Sequence, residues 1–221
     1  MQRLFDLIFS TLALVVLSPL LVPIALLLRF TGEREVFFRQ NRVGHGGRPF
    51  ELLKFATMLK DSPNLGTGTV TVANDPRVLP VGRFLRETKL NELPQLINIW
   101  RGDMSVIGPR PQTQRCFDAF PAQAQADIVR VLPGLSGIGS IVFRGEEHLY
   151  EGFDDPDWVY DTLIMPYKGE LERWYVGHRT LRNYFLLIGL TVWVMAFPRS
   201  RLFWRVFSRL PAPPAELAGR L

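Results

Sequence analysis

Cysteine is nearly absent: Cys116 stands alone in 221 residues. Neither a disulfide framework nor a cysteine metal centre can be built from it. Histidine is scarce, and His45, His148 and His178 lie far apart with no ligand spacing. The glycine-rich run at 44–47 lacks the Gly-Lys-Ser/Thr ending of a P-loop. There is no internal repeat. Acidic residues are outnumbered, 21 against 26 Lys and Arg, which gives a net charge of +5 and a pI of about 9.7. That balance suits anionic partners such as headgroups or nucleotides. The basic residues are scattered rather than gathered with aromatics into a strand-binding groove, so no nucleic-acid partner is expected.

Long uncharged runs are also few. Residues 7–28, LIFSTLALVVLSPLLVPIALLL, are long enough to span a bilayer. No small-residue cleavage site follows, so a signal peptide fits poorly. Ser18-Pro19 and Pro23 interrupt the middle. Positive charge flanks both ends, Arg3 before and Arg29, Arg34, Arg39 and Arg42 after. The positive-inside rule then wants both flanks on one face. A helix that enters, bends and returns satisfies this, and a kinked full span satisfies the length alone.

From Val36 the chain reads as a water-soluble domain. RVGHGGRP at 42–49 is a hairpin turn between FFRQ and FELLKF. Residues 61–68, DSPNLGTG, form a polar loop, residues 70–72 a short β-prone run, and residues 74–77 a turn. Residues 81–85 read as helical. Residues 116–131 read as one amphipathic helix with Phe117, Phe120, Ala124, Ile128 and Val131 on one side. Residues 137–143 read as a strand ending at Arg144. Glu146, Glu147 and Asp154 to Asp157 make an acidic loop, open to a metal or simply solvated. Residues 160–174 and 186–197 read as helices, the second ended by Pro198. Arg199, Arg201, Arg205 and Arg209 interleave with Leu202, Phe203, Trp204 and Phe207, a composition that fits an interfacial helix or a helix packed on the domain. Residues 211–221 read as a frayed tail. The whole is predicted to be α+β and mainly helical, with a membrane helix at 1–30, a catalytic domain at 31–180 and interfacial helices with a tail at 181–221.

The centre of the chain is KLNELPQLINIWRGDMSVIGPRP at 89–111. Leu93, Leu96, Ile97 and Trp100 recur at i, i+3, i+4 and i+7. Pro94 fits only the first helical turn, so the helix is expected to start near Asn91 and Glu92 and to stop at Gly102. Glu92 would then lie among free N–H groups. Prolines follow both Gly108 and Arg110 and hold Arg110 on a stiff segment, suited to bidentate phosphate binding. Taken alone, these residues are equally a capped helix, a surface acid and a loop arginine.

The run ELPQLINIWRGDMSVIGPRP closely resembles the signature of the bacterial sugar transferases, the monotopic phosphoglycosyl transferases. FFRQNRVGHGGRPFELLKFATM, NDPRVLPVGRFLRETKLNELPQ and LPGLSG agree with it in order, over residues 1–145. The resemblance implies a re-entrant N-terminal helix on the cytoplasmic face of the bacterial inner membrane. It implies transfer of a sugar 1-phosphate from a nucleotide sugar, usually a UDP-sugar, to a polyprenyl phosphate such as undecaprenyl phosphate, releasing UMP. Mg²⁺ is the implied cofactor, and the partners are both substrates and membrane lipid. Association of identical copies, the sugar and the polysaccharide are left open. Glu92 and Asn91 match the family's catalytic and metal-binding acidic pair, whose first member is an aspartate taken as nucleophile; this chain has Asn91 instead. Lys54, Arg86, Arg110 and Arg144 are the implied phosphate cations, with Arg83 a weaker candidate. An arginine usual in the family is replaced by Ala56. Asn91 and Ala56 keep a second reading open, an inactive membrane-bound assembly or regulatory subunit. Glu92, Asp103 and Arg110 favour an enzyme.

Overall fold

The computed structural model describes residues 1–62, 75–146, 149 and 155–221. Most of the polar loop, the β-prone run, Asn74, Glu147, His148 and Asp154 lie outside the described residues. Among the described residues the chain is mainly helical with two small sheets.

Helix α1, Gln2–Phe30, is 29 residues long and apolar enough to cross a membrane. The expected interruption at Ser18-Pro19 is not a break in the helix. Pro19 has no N–H to give the Val15 carbonyl, but Ser18 Oγ donates to that carbonyl at 2.7 Å and takes its place. Both ends of α1 are fixed to the domain. Near the start, buried Asp6 accepts from Ser105 Oγ, Val106 N–H and Tyr184 OH, each at 2.9 Å. Near the end, Ile24 and Leu28 pack with Phe55 and Leu85. Between them Leu12, Val15, Val16 and Leu20 are exposed.

Strands β1, Phe37–Val43, and β2, Pro49–Phe55, form the predicted antiparallel hairpin. Phe38 pairs with Lys54 and Arg42 with Phe50, so Phe38, Gln40, Arg42 and Lys54 share one face. Helix α2, Pro80–Glu87, lies directly on the chain leaving β2: Leu79 N–H bonds to Thr57 O at 2.9 Å, and a Cβ on Gly82 would meet that oxygen at 2.1 Å.

The central segment differs from the expectation. Leu90–Glu92 is a separate 3₁₀ turn, and helix α3 is Gln95–Arg101 with Pro94 at its N-cap. Glu92 therefore precedes the helix instead of lying among its free N–H groups. The buried face is Gln95, Leu96, Asn98 and Ile99, while Trp100 is 55% exposed. Asn98 decides the rotation. Its Oδ1 accepts Leu53 N–H at 2.9 Å and its Nδ2 donates to Glu51 O at 2.8 Å, which bolts α3 to β2. Asp103 accepts from the same Nδ2 at 3.1 Å, so it supports the bolt rather than the chemistry. Gly102 ends the helix as expected, at φ 101°.

Strand β3, Ser105–Ile107, runs parallel to β4, Gly134–Ser136, with helices α4, Gln114–Asp118, and α5, Ala122–Ile128, in the crossover. Pro121 divides what the apolar pattern suggests is one helix at 116–131, although Phe117, Phe120, Ala124, Ile128 and Val131 are all buried as expected. Gly108 N–H bonds to Ser136 O and Gly134 N–H to Pro109 O, and a Cβ on Gly134 would lie 2.1 Å from Gly108 N. The GPRP and LPGLSG runs therefore interlock through bare backbone.

Residues 137–143 are not a strand. Ile138–Val142 is helix α6, with Ile138, Ile141 and Val142 buried at the helical spacing i, i+3, i+4. Then follow α7, Pro156–Val159, a π turn at Tyr160–Ile164, α8, Met165–Gly177, and α9, Leu181–Ala196. Helix α10, Leu202–Val206, is a single turn or so, and α11 is Ala215–Ala218. The main core takes Ile107, Ile138, Leu171, Leu187, Phe203, Phe207 and Leu217 together. The 199–209 segment thus presses its aromatics into the domain rather than presenting a long interfacial helix. The tail is not frayed, since Leu217 is fully buried and Arg220 donates to Leu149 O at 3.2 Å.

Candidate functional site

Two cavities meet at the 3₁₀ turn. The first, of about 700 Å³, lies between β1, β2 and α2 and is rich in cations; Arg42, Lys54 and Arg86 line it, as do Asn91 and Ala56. The second, of about 400 Å³, carries Glu92, Arg110, Arg144 and Lys168 at its polar end. Its wall is apolar: Ile188, Val192 and Met195 from α9 face Leu135 and Phe143. Val192 and Met195 are more than half exposed, so the lip of this cavity belongs to the bare apolar side of α9. Consecutive residues, Asn91 and Glu92, open on different cavities.

Glu92 and Arg110 are joined. Arg110 Nη2 donates to Oε1 at 2.8 Å and Nη1 to Oε2 at 3.5 Å. Burial alone would raise the Glu92 carboxyl; Arg110 and Lys54, with help from Lys89, outweigh it and hold the group down at about 2. Glu92 is therefore an anion at any physiological pH. The cations around it are in surplus. Burial, with Arg110, Arg42 and Arg86 nearby, brings Lys54 down to about 7 despite Glu92. Burial and the Arg110 charge bring Arg42 down to about 10, and burial lowers Arg86. Arg110 alone is raised, by Glu92. Arg42 Nε is buried with no acceptor, and Asn91 Oδ1 is buried with no donor. A cluster with this surplus of cations is suited to an anion, and a diphosphate would offer it both charge and acceptors.

Residues 1–198 match the family described as bacterial sugar transferase. The chain belongs to the bacterial sugar transferase family. It is 37% identical over 159 residues to the exopolysaccharide production protein ExoY of Rhizobium meliloti, an alignment covering 66% of this chain and 70% of that protein. It is 39% identical over 154 residues to the UDP-glucose:undecaprenyl-phosphate glucose-1-phosphate transferase of Escherichia coli K12, covering 68% of this chain but 33% of the relative. A UDP-N-acetylgalactosamine-undecaprenyl-phosphate N-acetylgalactosaminephosphotransferase of Aeromonas hydrophila is 36% identical over 143 residues, covering 64% of this chain and 34% of its own length. The last two relatives are named for different sugars at 39% and 36% identity, so likeness does not choose the sugar.

For this sugar transferase, the structure sorts the expected site residues between the cavities: Lys54, Arg86 and Asn91 in the first, Glu92, Arg110 and Arg144 in the second. Arg83 is exposed on α2 and lines neither. Among the described residues, no three His, Cys, Asp or Glu side chains gather as a metal cage. Arg42 and Lys168 were not singled out by sequence. Arg42 had a signal, because alternation in FFRQNRV puts it on the face of Phe38 and Gln40. Lys168, whose Nζ donates to Glu146 Oε2 at 2.7 Å, had none, since its partner lies on another element.

Proposed function

We propose that this sugar transferase moves a sugar 1-phosphate from a UDP-sugar to a polyprenyl phosphate, giving a polyprenyl diphosphate sugar and UMP. The observation that carries the reading is the paired cavities, one basic and one apolar, meeting at Glu92 and Arg110. The basic cavity suits the nucleotide diphosphate, with Lys54, Arg42 and Arg86 on its oxygens. The apolar cavity suits the lipid phosphate, with Arg110, Arg144 and Lys168 at its head and α9 along its tail.

The chemistry is displacement at the sugar-bearing phosphorus. A nucleophile bonds to that phosphorus, the bond to the bridging oxygen breaks, and UMP carries the electron pair away. Two nucleophiles are available. Glu92 can attack first, forming an acyl phosphate that the lipid phosphate then displaces. Otherwise the lipid phosphate attacks directly while Glu92 and Arg110 align it. In either route substrate phosphate takes Arg110 over from Glu92. A carboxylate held at about 2 is a poor base, which favours a nucleophile or ligand role.

The residues also fit Mg²⁺. Asn91 Oδ1 is an unpartnered buried oxygen, and Glu92 is the neighbouring carboxylate. One or two protein oxygens with substrate phosphate is the ordinary Mg²⁺ arrangement. When bound, the ion would spread charge on the diphosphate; Asn91 and Glu92 would hold it.

Purified protein should release UMP from a UDP-sugar when Mg²⁺ and undecaprenyl phosphate are present. No release across a panel of UDP-sugars, from folded protein, would favour the inactive-subunit reading. Nucleotide-sugar binding should also weaken as pH rises. Lys54 titrates near 7 in the free protein, and bound phosphate raises that value, so binding takes up a proton. The KM should rise roughly tenfold between about pH 7 and 8.5, and Lys54→Met should flatten that dependence. An unchanged slope in the variant would place the titration elsewhere.

We place α1 as a re-entrant helix on the cytoplasmic face of the bacterial inner membrane. Its two ends are fixed to one domain, and its middle rests one face on that domain through Ala13, Leu14 and Leu17 while Leu12, Val15, Val16 and Leu20 stay bare and apolar, which supports this reading. Phe5 and Phe9 continue that surface onto Phe185 of α9. A cysteine in a tag ahead of Met1 and one at exposed Glu33, in a Cys116→Ser background, should both resist membrane-impermeant labelling in intact cells. Labelling of only one from outside would mean a full span.

A further inference from the structure

Glu172 of α8 is 1% exposed, yet it belongs to neither substrate cavity. Its Oε1 accepts the main-chain N–H of Arg110 at 3.2 Å. Its Oε2 is buried without a donor. Arg110 lies between Pro109 and Pro111, neither of which has an N–H, so this bond is the main-chain donor available at that point of the segment. Space for the carboxyl is made by α6: a Cβ on Gly139 would lie 2.3 Å from Oε1. Such a group is costly to bury, and the fold spends it on the backbone of one arginine.

We infer that Glu172 is a positioning residue, fixing the Arg110 backbone so that its guanidinium meets Glu92 and the transferred phosphate. The inference rests on the assignment of Arg110 to the reaction. The charged and titratable groups around Glu172 are Arg110 from the loop and Lys168 and Tyr175 from its own helix, with Glu146 beyond Lys168; α6 presents glycine. Burial, relieved in part by the Arg110 N–H and by Lys168, raises its carboxyl to about 7.

Glu172→Gln and Glu172→Met have similar volume and differ in whether an oxygen can accept that N–H. The Gln variant should keep kcat within about threefold of the native protein, and the Met variant should lose roughly tenfold or more. In an Arg110→Lys background the same Met substitution should cost less than about threefold, because the group it positions is already gone. Equal losses in both backgrounds, or equal kcat for Gln and Met, would overturn the inference; a packing role alone predicts equal losses. Amide hydrogen exchange of the 108–112 peptide should quicken in Met and not in Gln. That readout needs no turnover, so it separates failure of this inference from failure of the reaction reading. Should the Met variant not fold, the Gln variant decides alone: kcat within about threefold of native and native exchange at 108–112 support the role, and a tenfold loss or quickened exchange overturns it.

Discussion

Glu92→Gln should abolish turnover, with a loss on the order of a thousandfold or more. The substitution keeps size and oxygen but removes the charge that Arg110 and Lys54 converge on. Without it, Arg110 and Lys54 lose the carboxylate between them, and the nucleophile or ligand is gone. Structure should survive, because Glu92 lies in a turn at a cavity wall rather than in a core cluster. Circular dichroism should therefore be near native while UMP release vanishes, although the melting temperature should fall because buried cations lose their carboxylate. Asn91→Asp, by contrast, should be tolerated or activating, since it restores the carboxylate that the family resemblance places there. Intact-protein mass spectrometry with UDP-sugar and Mg²⁺, without acceptor, then separates the two routes. An adduct of one phosphosugar on Glu92 means covalent transfer; full activity without an adduct means direct attack. A fully active Glu92→Gln protein would remove Glu92 from the chemistry.

The second large effect is at Arg110. Arg110→Lys keeps the charge but replaces a planar fork with a point donor. The two contacts to Glu92 oxygens cannot both be kept. Losing one charge-assisted bond costs about 1.5–3 kcal/mol, so turnover should fall roughly tenfold to a hundredfold. The loss should be mainly in kcat, because the nucleotide cavity is built by other cations. Native kinetics would make Arg110 a structural residue.

The stiff diproline segment of Arg110 was legible in the sequence, whereas Glu92, expected among the N–H groups of a helix start, precedes that helix. The hairpin, the stop at Gly102 and the apolar helix before Pro198 were legible too. What failed was decided at a distance. The face of α3 turned on Asn98, a polar residue buried to bond the β2 backbone, which an apolar pattern cannot show. Residues 137–143 are rich in β-branched side chains, yet Ile138, Ile141 and Val142 carry a helical spacing that alternation masked. Arg42 looked like a hairpin flank, and only the register shows it on the Lys54 side. Glu172 had no sequence signal, because its partner is a main-chain N–H 62 positions away. The tail looked frayed because residues 211–221 are proline-rich and short of large apolar residues, yet Leu217 is fully buried.

In the proposed reaction phosphate travels with the sugar. Incubation of the purified protein with UDP-sugar, Mg²⁺ and undecaprenyl phosphate, followed by mass spectrometry of the lipid and chromatography of the nucleotide, tests it most directly. The expected product is a lipid carrying a diphosphate and the sugar, matched by UMP mole for mole. A lipid carrying a single phosphate and the sugar, with UDP as the co-product, would contradict it.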